Sequence, residues 1–188
     1  MKSSAVDKIL IRLATRNDSD AIVRVQYDSI KMLAAKDYTA KELEALLKSK
    51  SLHRTWDEII FVAEIKGEIV GLASLVKRNC SIGAVFVDPD FVRQGIGSKL
   101  LSVVEQEAIK HNIKILGVCS SLTGCAFYGA NGYKNLGKTY IPLHTVFVPC
   151  IAMKKRLIHQ TRSEYLRESV YQLFVVVIGI ILLMGFIV

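Results

Sequence analysis

The sequence predicts an α/β domain built around one sheet, and three observations carry that prediction. Segments with the two-residue alternation of strands interleave with segments whose apolar residues recur at helical spacing. One strand-like run, "AVFVD", passes through Asp88-Pro89 and two closely spaced glycines straight into an amphipathic helix. At 188 residues the chain is long enough for one ordinary core and short for two, so a single fold with appendages is expected.

Taken in order, "KILIRLAT" alternates and is rich in strand formers, and it ends at Thr15. "RNDSDAIVRVQYDSIKMLAA" opens on cap-type residues and then repeats apolar positions helically, with Ile22, Val25, Ile30, Met32 and Leu33 expected inside and Arg24, Asp28 and Lys31 outside. In "DYTAKELEALLKSK" Thr39 and Glu42 form a capping box at the start of a second helix. "EIIFVAEIKGEIVGLASLVKRN" reads as two strands joined by a hairpin turn at "KGE", and "CSIGAVFVD" as a third entering the glycines. A helix is expected from about Ser98 to His111, then a strand in "IKILGVCSS", a short helix in "TGCAFYGANGY" and a closing strand in "TVFVPCIAMKKRL". Neither a repeat nor a linker interrupts the chain before about residue 157.

Cys80, Cys119, Cys125 and Cys150 show no CxxC spacing and sit mostly in apolar runs, so reduced, buried thiols are expected rather than a disulfide framework, and no metal site is suggested. "MKSSAVDKIL" lacks the apolar core of a secretory signal. The net charge of +8 suits phosphates or an anionic lipid surface, but no aromatic-basic alternation points to nucleic acid.

The last stretch, "VYQLFVVVIGIILLMGFIV" from Val170 to Val188, carries no charge. As a helix it would be about 28 Å long, close to the hydrocarbon thickness of a bilayer. The segment before it, "KKRLIHQTRSEYLRES", has five basic residues against two acidic ones, the positive-inside pattern. The expected organisation is therefore a domain over residues 1–157, a basic juxtamembrane segment over 158–169 and a transmembrane helix over 170–188. That arrangement is a single C-terminal anchor with the domain on the cytoplasmic side. The competing reading of the tail is a buried core helix or an apolar dimerisation helix.

A strand that turns through glycines into a helix gathers unpaired backbone N–H groups and the positive end of the helix dipole at one point, which binds anions. Gly95 and Gly97 remove Cβ atoms from the approach, while Arg93 and Lys99 add charge, so a pyrophosphate is the expected guest. Leu100 stands where a dinucleotide fingerprint needs its third glycine, and no P-loop pattern is present. A purely geometric turn is the competing reading.

"VFVDPDFVRQGIGSKLL" resembles the acetyl-CoA motif of the GCN5-related N-acetyltransferases, Val-x-Pro-x-x-Arg/Gln-x-x-Gly-x-Gly/Ala. About thirty residues on, "SSLTGCAFYGANGYKNLG" resembles their second signature, here Phe127, Tyr128, Gly132 and Tyr133. The order of elements from Ile9 to about Leu157 also matches. "YDSIKMLAAKDYTAKELEALL" looks like the first two helices of a bacterial subgroup of small acetyltransferases. The resemblance implies an acyl-CoA N-acyltransferase fold, a mixed, mostly antiparallel sheet splayed between its fourth and fifth strands and flanked by helices. It further implies that backbone groups around Phe86 and Val87 hold the thioester carbonyl, and that Arg93, Gln94, Gly95, Ile96, Gly97 and Ser98 grip the pyrophosphate. By the same resemblance Thr123 lies against the cofactor, and the Tyr128 hydroxyl protonates the departing thiolate.

Three departures stand out. Val92 holds the place of the usual Arg or Gln, with Arg93 next to it, and Thr123 replaces a frequent asparagine. The fourth strand offers no glutamate to take a proton from the acceptor; Glu64, Asp88 and His144 are the candidates elsewhere, and His53 and Trp56 are candidate acceptor contacts. A covalent acetyl-cysteine on Cys119 or Cys125 is disfavoured because neither has a basic sequence neighbour.

The leading expectation is a membrane-tethered acyltransferase that moves acetyl from acetyl-CoA to a primary amine of a small-molecule or protein acceptor, in a ternary complex and without a metal. The alternative is a catalytically weak acyl-CoA-binding module that senses CoA status at a membrane. The sequence is compatible with a homodimer.

Overall fold

The computed structural model describes residues 9–49, 57–143, 145–158, 166–167 and 170. Its first strand, β1 (Leu10–Leu13), is followed by α1 (Ser19–Ser29), a π-helical turn (Ile30–Ala34) and α2 (Ala40–Leu47). Then come β2 (Glu58–Ile65), β3 (Glu68–Val76), β4 (Ser81–Val87), α3 (Ile96–Lys110), β5 (Ile115–Ser120), α4 (Cys125–Ala130), β6 (Lys134–Leu143) and β7 (Val146–Arg156). The strands form one sheet in the order β1-β2-β3-β4-β5-β7-β6, antiparallel throughout except where β4 meets β5. All of these elements lie within the first of the chain's two compact units, Met1–Leu157.

Local chemistry explains most boundaries. Thr39 accepts from the Glu42 N–H at 3.3 Å while Glu42 accepts from the Thr39 N–H at 2.8 Å, closing the capping box on α2. The β2–β3 hairpin turns through Lys66 (φ 53°) and Gly67 (φ 85°), the pair of positive angles that suits the twist of the strands it joins. Arg12 on β1 donates to both oxygens of the Asp18 carboxylate, at 2.8 and 3.0 Å, and the Thr15 N–H donates to Asp18 at 2.6 Å. This tie fixes the entry into α1.

The Arg12 guanidinium holds the Asp18 carboxyl well below the usual carboxylate range; burial opposes this, and Thr15 reinforces it. A carboxyl depressed in the folded state stabilises the fold above its unfolded pKa of about 3.9, and that stabilisation is lost as the pH falls through the folded value. Asp18→Asn is therefore expected to cost about 1–3 kcal/mol at neutral pH. Thermal melts of wild type and variant should converge as the pH is lowered below about 4. An unchanged gap at acid pH would mean that the carboxylate charge contributes nothing.

The sheet is covered on both sides. On one face α3 and α4 bury Leu100, Leu101, Val104 and Tyr128 against Phe61, Ala63, Ala73 and Leu75. On the other, α1 sets Ile22 and Val25 against Ile60, Val62, Leu72 and Ala84, and the π turn and α2 pack Ala34, Tyr38 and Leu43 around Val148. Each fully buried Leu here contributes about 2 kcal/mol of transfer free energy.

Several expectations need correction. Met32 is 64 % exposed rather than buried, because the π turn adds a residue to the helical repeat and rotates Ala34 inward in its place. α3 starts at Ile96, inside the glycine motif, and not at Ser98. The sheet has seven strands where six were expected. The additional one, β6, is an edge strand exposed along most of its length, so its polar "KNLGKTYIPL" shows no buried face, and Pro142 is tolerated at such an edge. The four thiols are free, but only Cys150 is buried; Cys80 lies exposed in a left-handed turn and Cys119 faces outward from β5. Past Val170, the expected transmembrane segment lies outside the described residues; among those described, no helix is long and apolar enough to cross a membrane.

Candidate active site

β4 and β5 pair at a single position, Ser81 opposite Gly117, with the Gly117 N–H donating to the Cys80 carbonyl at 2.9 Å. Beyond it they part. β5 commits its other edge to β7 from Ile115 to Ser120, while β4 is bent by a bulge at Gly83, where the pairing steps from Ser74–Ala84 to Leu75–Ile82. Only glycine fits that bulge, since a Cβ there would stand 2.7 Å from Ser74 Oγ, 2.8 Å from Glu58 Oε2 and 2.9 Å from Val76 Cγ2.

The register decides which backbone groups face the gap. The Asp88 N–H donates to the Val70 carbonyl at 2.9 Å, and the Phe86 oxygen lies 3.1 Å from where a Cβ on Gly71 would sit, so both point toward β3. Alternation along the strand then turns the Val87 N–H, and that of Val85, toward β5. Of the two residues implied by the resemblance, Val87 offers its N–H to the gap and Phe86 spends its own on the sheet.

At the mouth of the gap the chain turns through Arg93 (φ 64°) and Gly95 (φ 78°) into α3. The Lys99 N–H is the first to find an intrahelical acceptor, Gly95 O at 3.1 Å, which leaves the amides of Ile96, Gly97 and Ser98 in the unpaired first turn. Arg93, Gln94 and Ser98 are exposed beside them. Ile96 is 1 % exposed, so its side chain belongs to the core and only its amide belongs to the loop.

The two glycines serve different needs. Nothing lies within 4 Å of a Cβ built on Gly95, whose requirement is its positive φ. A Cβ on Gly97 would sit 3.3 Å from Phe127 Cε2 and 3.6 Å from Val87 Cγ2. Gly97 thus lets α4 dock on the first turn of α3 beside the end of β4, bringing both sequence motifs to one place.

Tyr128 on α4 is 6 % exposed, its ring edge-on to Phe127 at 5.1 Å and to Tyr133 at 5.4 Å. Burial pushes its hydroxyl pKa up, so the group stays protonated at neutral pH and is a donor. Among the described residues its hydroxyl has no hydrogen-bond partner. The Thr123 hydroxyl donates to Asp37 at 2.5 Å, next to Tyr38, which accepts from the Leu122 N–H at 2.9 Å and donates to the Pro149 carbonyl at 3.2 Å.

A model of the acetyltransferase (GNAT) domain matches residues 34–157. The chain belongs to the GNAT acetyltransferase family. An uncharacterised N-acetyltransferase of Archaeoglobus fulgidus is 33 % identical over 114 residues, 56 % of this chain and 77 % of the relative. Among solved structures, a GCN5-related N-acetyltransferase of Rhodopseudomonas palustris superposes with a TM-score of 0.74 at 24 % identity, over 82 % of this chain and 99 % of that one. The PaiA N-acetyltransferase of Thermoplasma acidophilum, in complex with coenzyme A, gives 0.64 at 19 %, over 79 % and 99 %. Like its family, this GNAT acetyltransferase is an acetyl-CoA-dependent N-acetyltransferase, with acetyl-CoA as cosubstrate.

In this GNAT acetyltransferase, the carboxylates expected as proton acceptors are already paired. Glu64 accepts from Arg12 Nε at 2.9 Å, and Asp88 is buried against Arg24 at 2.7 Å while capping the turn at Asp90. His144, His53 and Trp56 lie outside the described residues. The bulge at Gly83 escapes the sequence, because it depends on strand pairing that no local pattern reveals. Among the described residues no group of His, Cys, Asp and Glu could hold a metal. A cavity of about 450 Å³ lined by Leu13, Ile59, Phe61, Glu107 and Lys110 sits at the opposite end of α3 from the glycine loop and is not part of this site.

Proposed function

We propose that this GNAT acetyltransferase transfers acetyl to a primary amine by direct attack within a ternary complex, and that residues 170–188 tether it to a bilayer with the domain on the cytoplasmic side. The parting of β4 from β5 carries the catalytic reading, because it leaves the Val87 N–H facing a gap whose mouth is the unpaired first turn of α3. An extended acyl-pantetheine arm fits an unpaired strand edge, and a pyrophosphate fits the amides of Ile96, Gly97 and Ser98 with Arg93 and Lys99 beside them.

In this reading Val87 donates to the thioester carbonyl and stabilises the oxyanion as the amine attacks. Phe86 holds Val87 in place through its own pairing with β3, and Gln94 and Gly95 shape the turn. Tyr128 gives its proton to the sulfur as the C–S bond breaks. Thr123 acts through position, anchoring the loop before α4 to Asp37.

Calorimetry of the full chain with acetyl-CoA and with CoA, followed by thiol release with spermidine, an aminoglycoside, free lysine and a peptide with a free N-terminus, tests the activity. Micromolar binding with release on one of these amines is expected. Binding without release on any would transfer the weight to a CoA-sensing module, and no binding would leave the glycine loop as a turn. The tether rests on the uncharged run from Val170 to Val188. Its test is flotation of the full chain with phosphatidylcholine–phosphatidylglycerol vesicles in high salt.

A further inference from the structure

We propose that Tyr38 is a positioning residue for Tyr128, the proton donor of the transferase reading above, on which this inference rests. A side-chain hydroxyl stands where a rung of the sheet belongs. β5 and β7 pair from Ile115–Arg156 to Ser120–Ile151. Two residues further in the same register Leu122 falls opposite Pro149, whose other neighbour is Tyr140 of β6. Pro149 has no N–H, so that rung could hold only one direct bond, from the Leu122 N–H to the Pro149 carbonyl. The Tyr38 hydroxyl occupies it instead, accepting from the Leu122 N–H at 2.9 Å and donating to the Pro149 carbonyl at 3.2 Å. β5 thus stands off β7 by the width of one oxygen, at the end where it also stands apart from β4.

The wedge is held firmly. Tyr38 is 9 % exposed and its ring packs with Ala34 and Val148, while Pro149 is buried. A buried backbone group without a partner is costly, so the hydroxyl and the two strand ends keep one another in place. A second tie runs beside the first, because the Thr123 hydroxyl donates to Asp37 at 2.5 Å. Asp37 and Tyr38, between the π turn and α2, therefore grip Leu122 and Thr123, between β5 and α4.

From this grip to the donor the chain has no slack. The Gly124 N–H donates to Ser121, to its carbonyl at 3.1 Å and its Oγ at 3.0 Å. The Gly124 carbonyl accepts from the Tyr128 N–H at 3.1 Å, and Tyr128 Cε2 lies 3.7 Å from where a Cβ on Gly124 would sit. The donor's ring therefore rests on the residue that follows the grip. With no partner for its hydroxyl among the described residues, Tyr128 is aimed by this backbone and by its ring contacts to Phe127 and Tyr133. Tyr38 and Tyr128 pack on opposite faces of the sheet, so the turn between β5 and α4 is what links them.

Tyr38→Phe keeps the ring in its cluster and removes the bridge. With whichever amine the wild type acetylates, kcat is expected to fall about tenfold, while the acetyl-CoA dissociation constant stays within about twofold of wild type. The same substitution placed on Tyr128→Phe should cost less than about twofold, because the donor it misplaces is already gone. Thr123→Val cuts the second tie at a half-buried site and should show a smaller loss with the same dependence on the Tyr128 hydroxyl. It carries the test if Tyr38→Phe melts too low to assay. Equal losses with and without the Tyr128 hydroxyl would mark the bridge as general support for the fold and overturn the proposal, as would an unchanged kcat in Tyr38→Phe. Two other failures are distinguishable from these without any Tyr38 variant. A wild type that binds acetyl-CoA and acetylates none of the amines defeats the transferase reading, and a Tyr128→Phe enzyme with wild-type kcat defeats the donor assignment; either takes the inference down with it.

Discussion

Replacing Tyr128 with Phe is expected to lower kcat about 100-fold while leaving acetyl-CoA affinity within about twofold of wild type. The substitution keeps the ring, and with it the edge contacts to Phe127 and Tyr133 that seat α4 on the core. It removes one hydroxyl that has no partner among the described residues, so little stability should go with it. What disappears is a donor that burial keeps protonated at neutral pH. Rates and calorimetry on the same preparation separate the outcomes. An unchanged kcat would show that the thiolate leaves unassisted, and a parallel loss of affinity would show that the hydroxyl holds substrate rather than delivering a proton.

Gly97→Val should impair the site from the opposite direction, through packing. A single Cβ at this position already meets the Phe127 ring at 3.3 Å, a distance at which the ring must give by a few tenths of an ångström. The two further methyl carbons of valine have no such room, and the strain of overpacking is of the order of 1–3 kcal/mol. Relief requires α4 to lift away from the first turn of α3, which spoils the junction of glycine loop, β4 end and second motif. We expect acetyl-CoA affinity to drop about tenfold or more, with a lower melting temperature. Gly97→Ala should lose much less of both. If valine binds acetyl-CoA as wild type does, the close approach of Phe127 is incidental to the cofactor site.

What could be read from the chain alone was what depends on neighbours in sequence. The capping box at Thr39 and Glu42, the hairpin at Lys66-Gly67 and the strand-to-helix turn at Gly95 are local, and their residue types announce them. The contribution of Met32 was misjudged because the π turn that rotates it outward is set by packing around Ala34 and leaves no local mark. β6 was missed for a related reason: an exposed edge strand needs no buried face, so nothing in "KNLGKTYIPL" alternates. At the site, the glycine turn into α3 was legible, but the reason for Gly97 lay thirty residues away at Phe127. The orientation of Val87 and Phe86 follows from register, and the bulge at Gly83 is visible only once β3 and β4 are paired.

The parting of β4 from β5 bears on the hazard that an open strand edge poses. An unpaired strand edge is ordinarily a template for a second chain and a route to self-association. This one lies in the middle of the sheet, facing another strand across a gap, where a folded neighbour has no approach but a thin extended molecule does. The true margins are defended in other ways: β1 is four residues long, and β6 carries Lys134, Lys138 and Pro142. The fold can therefore leave a length of backbone unpaired inside the sheet without presenting it as an outer edge.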